Sequence, residues 1–289
     1  MTTDAPIVLL AAGLGTRFGG VKPLAPVGPQ GEPLLYVALQ QAAAAGFGRA
    51  VVVVGAASSA PIRQALEQIW RTALDVSFVS QDSIGPARKR PWGTVAAVLA
   101  AGEHRDVVVA NGDDLYGVVG LRAARTWLLD HEGGDAAGIF YPVGPTVPVG
   151  GKSKGVSRAV PAIDDGRMTG IREQRDVYRA ANTVRLADGT VLAETQPVSM
   201  NLWCLRREIV GRLQQGFALF VDACAPDDAS EYGLPGALAE LATEMRIDAL
   251  VTSSPWHGVT YATDVEHVRD ALRNEQTSAS ARDDGTAPS

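Results

Sequence analysis

The chain has 289 residues, 46% of them hydrophobic, and a formal net charge of −6, enough to bury one large core or two modest ones. The acidic balance argues against a nucleic-acid partner, which calls for a basic face, but leaves room for an anionic ligand at a local cationic cluster. Two cysteines, Cys204 and Cys224, stand apart rather than in a C-x-x-C pair, which argues against a disulfide framework or a thiolate metal cluster. Met1 to Pro6 carries an acid and no Lys or Arg, unlike a secretory signal, and no apolar run approaches the length of a membrane span. A cytoplasmic protein with no membrane partner is the default expectation.

In chain order, the apolar run Ile7 to Ala12 reads as a buried strand that stops at Gly13. Glycines recur at Gly15, Gly19 and Gly20, and Arg17 and Lys22 are the charges between Leu10 and Lys22. Glycine lets the backbone approach a ligand closely, and successive N–H groups in such a turn form a concave anion site. With two cations on the same loop, the stretch is a candidate polyphosphate pocket; the plainer reading is a strand-to-helix turn with solvated Arg and Lys. The P-loop pattern G-x-x-x-x-G-K-[ST] is absent from this span. A dinucleotide fingerprint fails as well: after Gly13 and Gly15 the third glycine position holds Phe18, and Pro23 and Pro26 forbid the helix that should follow. The second apolar run, Val51 to Val54, ends in Gly55 to Ser59 with no carboxylate for a ribose.

Pro33 starts a helix that stops at Gly46, Val51 to Val54 is a strand buried on both faces, and Ser59 is read as the N-cap of a second helix with Pro61 just inside it. Val76 to Val79 adds a third strand, and this alternation calls for a mainly parallel α/β sheet. The basic loop ending in Arg88, Lys89 and Arg90 leads to Gly93 and Thr94, which open an alanine-rich helix whose first N–H groups are unpaired. Asp106 to Ala110 is a fourth strand, and Asn111-Gly112-Asp113-Asp114 sits at its C-terminal end, where ligands of parallel sheets bind. Adjacent side chains of an extended chain alternate, so one of the two acids points inward and the other caps a helix or supports its neighbour.

Val118 to Asp130 reads as a helix and Ala136 to Val143 as a strand. From about 146 to 193 the pattern changes to short β runs with hairpin signals at Asp164-Asp165-Gly166 and Ala187-Asp188-Gly189, an antiparallel insertion rather than a separate domain. Val198 to Leu205 is an apolar strand interrupted by Ser199 and Asn201. A helix from Glu231 to about Met245, a strand from Ile247 to Thr252 and a last helix ending near Arg273 follow, the last with Thr263 and Glu266 as a capping box. Residues 1–273 thus form a single domain, and 274–289 read as a disordered tail.

L-A-A-G-L-G-T-R followed by K-P-L resembles the signature of the sugar-nucleotide pyrophosphorylases, the nucleoside-triphosphate:sugar-1-phosphate nucleotidyltransferases. The blocks P-W-G-T, N-G-D-D-L-Y-G, V-S-M-N-L-W and W-H-G-V-T-Y follow in order along nearly the whole chain, most like a bacterial branch whose acceptor is unassigned. The resemblance implies a Rossmann-like GT-A sandwich, a mostly parallel mixed sheet flanked by helices with a small antiparallel insertion. It implies that Ala12, Gly13, Gly15, Thr16, Arg17, Gln81, Gly93 and Thr94 bind the nucleotide and that Gly155, Glu173 and Asn201 bind the acceptor. Arg17 would hold the β- and γ-phosphates, Lys22 would bridge the α-phosphate and the incoming phosphate, and Asp113 would ligate Mg²⁺, which needs only one or two carboxylates beside phosphate oxygens and water. The partners implied are a nucleoside triphosphate and a small phosphorylated acceptor, and the pattern is compatible with a homo-oligomer.

This sequence departs from the family at two places. The acceptor lysine position carries Gln174, with Arg175 beside it, and the second metal-binding Asp has no clear counterpart, Thr260 falling close to its place and Asp264 just beyond. Three alternatives stay open: a CTP-dependent transferase for phosphocholine or a phosphonate, a GT-A glycosyltransferase, and a nucleotide-binding regulatory homologue without turnover. The glycosyltransferase would need a D-x-D motif, whose spacing Asn111 to Asp114 lacks.

Overall fold

The structure is a computed structural model and describes residues 5–13, 18–69, 74–88, 90–102, 105–130, 133–148, 155–224 and 229–283. The first half alternates strand and helix, as its hydrophobic runs dictate. β1 (Ile7–Leu10), β2 (Arg49–Val54), β3 (Asp75–Ser80) and β4 (Val107–Asn111) are connected through α1 (Leu34–Ala44), α2 (Ala56–Ile69) and α3 (Thr94–Ala100). β1 pairs in parallel with β2 and β4, and β2 with β3. These strands are apolar on both faces because helices cover both sides of a parallel sheet.

The chain then runs through β5 (Asp114–Leu115), α4 (Gly117–Asp130), β6 (Ala136–Pro142) and the short α5 (Val143–Thr146) into a long antiparallel hairpin, β7 (Val156–Asp164) and β8 (Arg167–Ala180). β9 (Thr183–Arg185), β10 (Val191–Leu192), β11 (Pro197–Leu205), α6 (Arg207–Ala223), α7 (Leu234–Leu241), β12 (Ile247–Val251), β13 (His257–Gly258) and α8 (Asp264–Asp283) complete it. Eleven strands form one sheet in the order β10-β9-β8-β12-β6-β11-β4-β1-β2-β3, with β7 pairing β11 and β8, while β5 and β13 make a separate ribbon. β11 is antiparallel to both β4 and β6, and β12 is parallel to β6. The expected mixed α/β sheet flanked by helices is the architecture observed, but it is not mostly parallel: parallel pairing is confined to β1–β4 and to β6 with β12, and the strands of the insertion and β11 pair antiparallel.

One core cluster packs α1, α2 and α4 against one face of the sheet, and a second packs α3, α6 and α7 against the other. A third joins Ala25, Val27 and Leu34 to Val259, Val265, Val268 and Leu272, so α8 lies over the segment that follows the glycine-rich loop. Arg269 Nε donates to the Pro26 carbonyl at 3.1 Å and fastens the same contact.

Several elements differ from the sequence reading. α2 begins at Ala56, before Ser59, because the chain turns at Gly55 as β2 ends, with Ser58 and Ser59 N–H groups both donating to the Gly55 carbonyl. Pro61 therefore lies inside the helix. The β7–β8 hairpin turns at Asp165 and Gly166, both at positive φ (43° and 71°), but it joins the main sheet through Ser199↔Ala159 and Asp248↔Arg167. No element is read from the sequence between Leu205 and Glu231; α6 forms there and buries Ile209, Val210, Leu213 and Phe217. α7 stops at Leu241, short of Met245, and α8 continues to Asp283, ten residues beyond Arg273. The composition of 274–283 is polar but free of glycine and proline, so nothing local breaks the helix. Residues 284–289 lie outside the described residues.

Candidate active site

The C-terminal end of β1 is clamped on both sides. Ala11 N–H donates to the Val53 carbonyl at 2.8 Å, and Gly112 N–H donates to the Leu10 carbonyl at 2.9 Å. A Cβ on Gly55 would lie 3.1 Å from the Ala12 carbonyl oxygen, and one on Gly112 2.9 Å from Ala11 Cβ. Glycines from the two neighbouring strand ends thus let the backbone close around Ala11 and Ala12, leaving Gly13 exposed at the mouth of the loop. Gly15, Thr16 and Arg17, expected to hold the triphosphate, lie outside the described residues.

The loop returns through Val21 into a 3₁₀ turn, Lys22 to Leu24, and this turn aims Lys22 at the end of β4. Lys22 Nζ lies 2.8 Å from Asp113 Oδ2, the two side chains being 18% and 28% exposed. Burial pulls the Lys22 ammonium down, but Asp113, Asp114 and Asp264 together outweigh it and hold Lys22 above its ordinary value, fully charged at neutral pH. The predicted catalytic cation and the predicted metal ligand are therefore in direct contact.

Asp114 points the other way and is buried. It pairs with Gly258 across the β5–β13 ribbon and accepts a hydrogen bond from Asn111 Nδ2 at 2.8 Å. Burial first, then the neighbouring Asp113 charge, pushes its carboxyl up to about 7, against the opposing pull of Lys22, Asn111 and Arg158. Neither acid caps α4; the N–H of Gly117 is taken by Gln41 Oε1 at 3.1 Å.

Asn111 links this end of the sheet to β11. Its Oδ1 accepts from Asn201 Nδ2 at 2.7 Å, and Asn201 Oδ1 in turn accepts from Trp203 Nε1 at 3.1 Å. Asn201 sits at the register shift in β11 with φ of +65°, a left-handed backbone that Asn tolerates better than most residues. Tyr116 supports the pair from below: its hydroxyl accepts from Asn111 N–H at 3.0 Å and donates to the Met200 carbonyl at 2.6 Å. Burial raises the Tyr116 pKa well above the ordinary value, with the Asp114 charge adding to it, so the hydroxyl keeps the proton it donates.

A cleft of 780 Å³ opens beside these groups, lined by Lys22, Asn111, Asp114 and Asn201, by Arg158 and Glu173 of the β7–β8 hairpin, and by Trp256. Glu231, Tyr232 and Glu240 form its far wall, where Phe220 and Tyr232 stack with ring centroids 5.1 Å apart. Among the predicted acceptor residues, Glu173 and Asn201 share this cleft. Gly155 does not line it; a Cβ there would lie 2.4 Å from Asp176 Cα, so this glycine admits the close start of the β7–β8 hairpin.

Gln81, Gly93 and Thr94, expected to bind the nucleotide, do not line this cleft. Gln81 lines a separate 130 Å³ pocket beside Trp92. Gly93, at φ of +104°, and Thr94 begin α3, but the segment before α7 covers them: Val95 N–H donates to the Tyr232 carbonyl at 3.1 Å and Leu234 N–H to Thr94 Oγ1 at 2.7 Å. Thr260 lines the cleft, whereas Asp264 Oδ2 accepts from Thr260 and Tyr261 N–H at 2.8 Å each and fixes that turn. His257 is partly buried and contacts Glu275 at 2.8 Å.

Sequence reasoning gave no role to Asn111, Arg158 or Trp256. Asn111 stands in a motif that drew attention to its acids, and Arg158 lies in a β run with no signal that it faces a cleft.

A glycine-bearing segment after β1, a cation contacting a carboxylate at the end of β4 and the cleft beside that contact are what an NTP transferase site requires. Residues 7–184 match the MobA-like NTP transferase domain, and the chain belongs to that family. It is 32% identical over 195 residues to the bifunctional protein GlmU of Rhizobium johnstonii, a match that takes in 64% of this chain and only 38% of that protein's length. Solved structures share the fold: a Bacillus anthracis protein described as a glucose-1-phosphate thymidylyltransferase (TM-score 0.65, 14% identity, 93% of this chain and 96% of that one) is one. A UDP-glucose pyrophosphorylase complexed with UDP-glucose (0.62, 16%, 94% and 99%) and the inositol-1-phosphate CTP transferase of T. maritima (0.62, 12%, 94% and 98%) are others.

Proposed function

We propose that this enzyme joins a nucleoside triphosphate to a sugar-1-phosphate in the cytoplasm, forming a nucleoside-diphosphate sugar and pyrophosphate. The observation that carries the reading is the contact of Lys22 with Asp113 at the edge of a cleft that also holds Asn201 and Glu173. An oxygen of the acceptor phosphate attacks the α-phosphorus, the bond from that phosphorus to the β-bridging oxygen breaks, and pyrophosphate leaves with the electron pair. The nucleophile is already an anion, so the reaction needs positioning and charge neutralisation rather than a general base. Lys22 would move from Asp113 to the phosphates, and Arg17 would bind the leaving pyrophosphate.

The donor set suits Mg²⁺: among the described residues no group of three or more His, Cys, Asp or Glu forms a protein cage, and Asp113 is accessible beside Asp114. Mg²⁺ is held by one or two carboxylates with phosphate oxygens and water. Bound at Asp113, it would neutralise and orient the triphosphate.

A second reading, an acceptor with a cationic head such as phosphocholine, is favoured by Glu173, Glu231 and Glu240, which line the cleft together with the stacked Phe220–Tyr232 pair. The test is pyrophosphate release with Mg²⁺, each nucleoside triphosphate being screened against sugar-1-phosphates, phosphocholine and simple phosphonates, with Asp113→Ala as control. A signal for one pair, lost in the control, supports the transferase and names its substrates. Silence across the panel, with nucleotide bound by calorimetry, contradicts the sugar reading and favours the regulatory homologue.

A further inference from the structure

Arg158 is a half-buried cation at the cleft to which the fold gives no carboxylate. It lies in β7 and lines the cleft, yet among the described residues it forms no ion pair. Its guanidinium is held rather than neutralised: Nε donates to Thr146 Oγ1 at 3.0 Å, one terminal nitrogen to the Ser157 carbonyl at 2.7 Å, and the other to the Thr146 carbonyl. The Trp256 ring, whose indole N–H is buried without a partner among the described residues, lies 5.6 Å from Cζ. A guanidinium has five N–H donors, and these bonds use three, leaving a hydrogen on each terminal nitrogen.

Several neighbours leave Arg158 unneutralised. Across the β7–β8 ladder stands the neutral Gln174, and Asp114, whose charge it feels, is turned toward Asn111 and Gly258. Burial lowers the guanidinium to about 10 against the opposing pull of Asp114, so it is charged at neutral pH. A half-buried cation without a carboxylate partner, facing a cleft with free terminal hydrogens on a planar fork, matches phosphate.

We propose that Arg158 receives the phosphate of the acceptor. The assignment rests on the transferase reading and adds the cation that Gln174 does not supply. The sheet order separates the two phosphate sources: the nucleotide loop follows β1, whereas Arg158 lies in β7, which pairs with β11 on the other side of β4. Between them stands Lys22 on Asp113, the point at which the two phosphates would meet.

The test is arginine Nε–H NMR on ¹⁵N-labelled protein, with inorganic phosphate as probe, alone and in the presence of saturating nucleoside triphosphate. The Arg158 signal, identified by its loss in Arg158→Lys, is expected to shift saturably with phosphate in both arms. In turnover, Arg158→Lys is expected to raise KM for the acceptor at least about tenfold and leave KM for the nucleotide within about twofold. A shift with triphosphate alone, and none with phosphate thereafter, would assign Arg158 to the nucleotide and overturn the proposal. So would a protein that binds nucleotide but shows no Arg158 response, or an Arg158→Gln variant that only lowers the melting temperature, as a mere strut to Thr146 would. Loss of nucleotide and phosphate binding alike in the wild type would remove the transferase reading and the proposal with it.

Discussion

Asn201 adopts a left-handed backbone conformation at the register shift of β11 and uses its side chain to bridge Asn111 and Trp203. Replacing it with Ala leaves a buried Trp203 N–H unpaired and forces a Cβ residue with no compensating hydrogen bond to remain at positive φ. Together these are expected to cost about 2–4 kcal/mol of stability, measured by urea denaturation. Lys22 and Asp113 act at the same scale but through catalysis. Lys22→Ala is expected to raise the barrier by about 2.7–4 kcal/mol, the size of losing one transition-state donor, with kcat falling and the fold intact. Near-normal turnover in that variant would contradict the role given to Lys22. Residues of this kind are partly legible in sequence. Lys22 and Asp113 announce themselves by charge at strand ends, whereas Asn111 and Arg158 acquire their roles from contacts made across 90 positions and across a hairpin, which no local pattern encodes.

One glycine governs how elements meet at the cleft. A Cβ on Gly258 would fall 2.3 Å from the Trp256 ring and 2.9 Å from Asp114 Oδ1, so the β5–β13 ribbon closes only without a side chain there. Gly258→Ala is expected to overpack this site, cost about 1–3 kcal/mol, and depress activity by displacing Asp114 and Trp256. Gly211, by contrast, lies within α6 with nothing in the path of a Cβ, and Gly211→Ala is expected to stabilise the protein by about 0.4–1 kcal/mol in the same denaturation assay. The parallel half of the sheet could be read from its β-branched runs because burial on both faces leaves so few polar residues to confuse them. The insertion was legible as hairpins through Asp165-Gly166 and Gly189, but its pairing to β11 and β12 was not, since a single bridged residue makes each contact. α6 carries a regular apolar stripe, Ile209, Val210, Leu213 and Phe217, but no side-chain cap marks its start in the sequence.

At the scale of the whole molecule, the last helix braces the first loop. α8 buries Val265, Val268 and Leu272 against Ala25, Val27 and Leu34, and Arg269 and Arg273 reach the carbonyls of Pro26 and Pro29. The segment carrying Lys22 is thereby held by residues some 240 positions away. Leu272→Ala is expected to destabilise the protein by about 2–5 kcal/mol, read from chemical denaturation, and to weaken nucleotide binding by loosening the turn that aims Lys22. α8 is legible in the sequence as far as Arg273, but what it packs on is not, because no local pattern encodes a contact some 240 positions away. The central claim is the direction of the chemistry, and an oxygen label tests it most directly. With the acceptor phosphate carrying ¹⁸O and the products resolved by mass spectrometry, all label is predicted in the nucleoside-diphosphate product, including its bridging oxygen, and none in pyrophosphate. Label in pyrophosphate would contradict attack by the acceptor phosphate on the α-phosphorus.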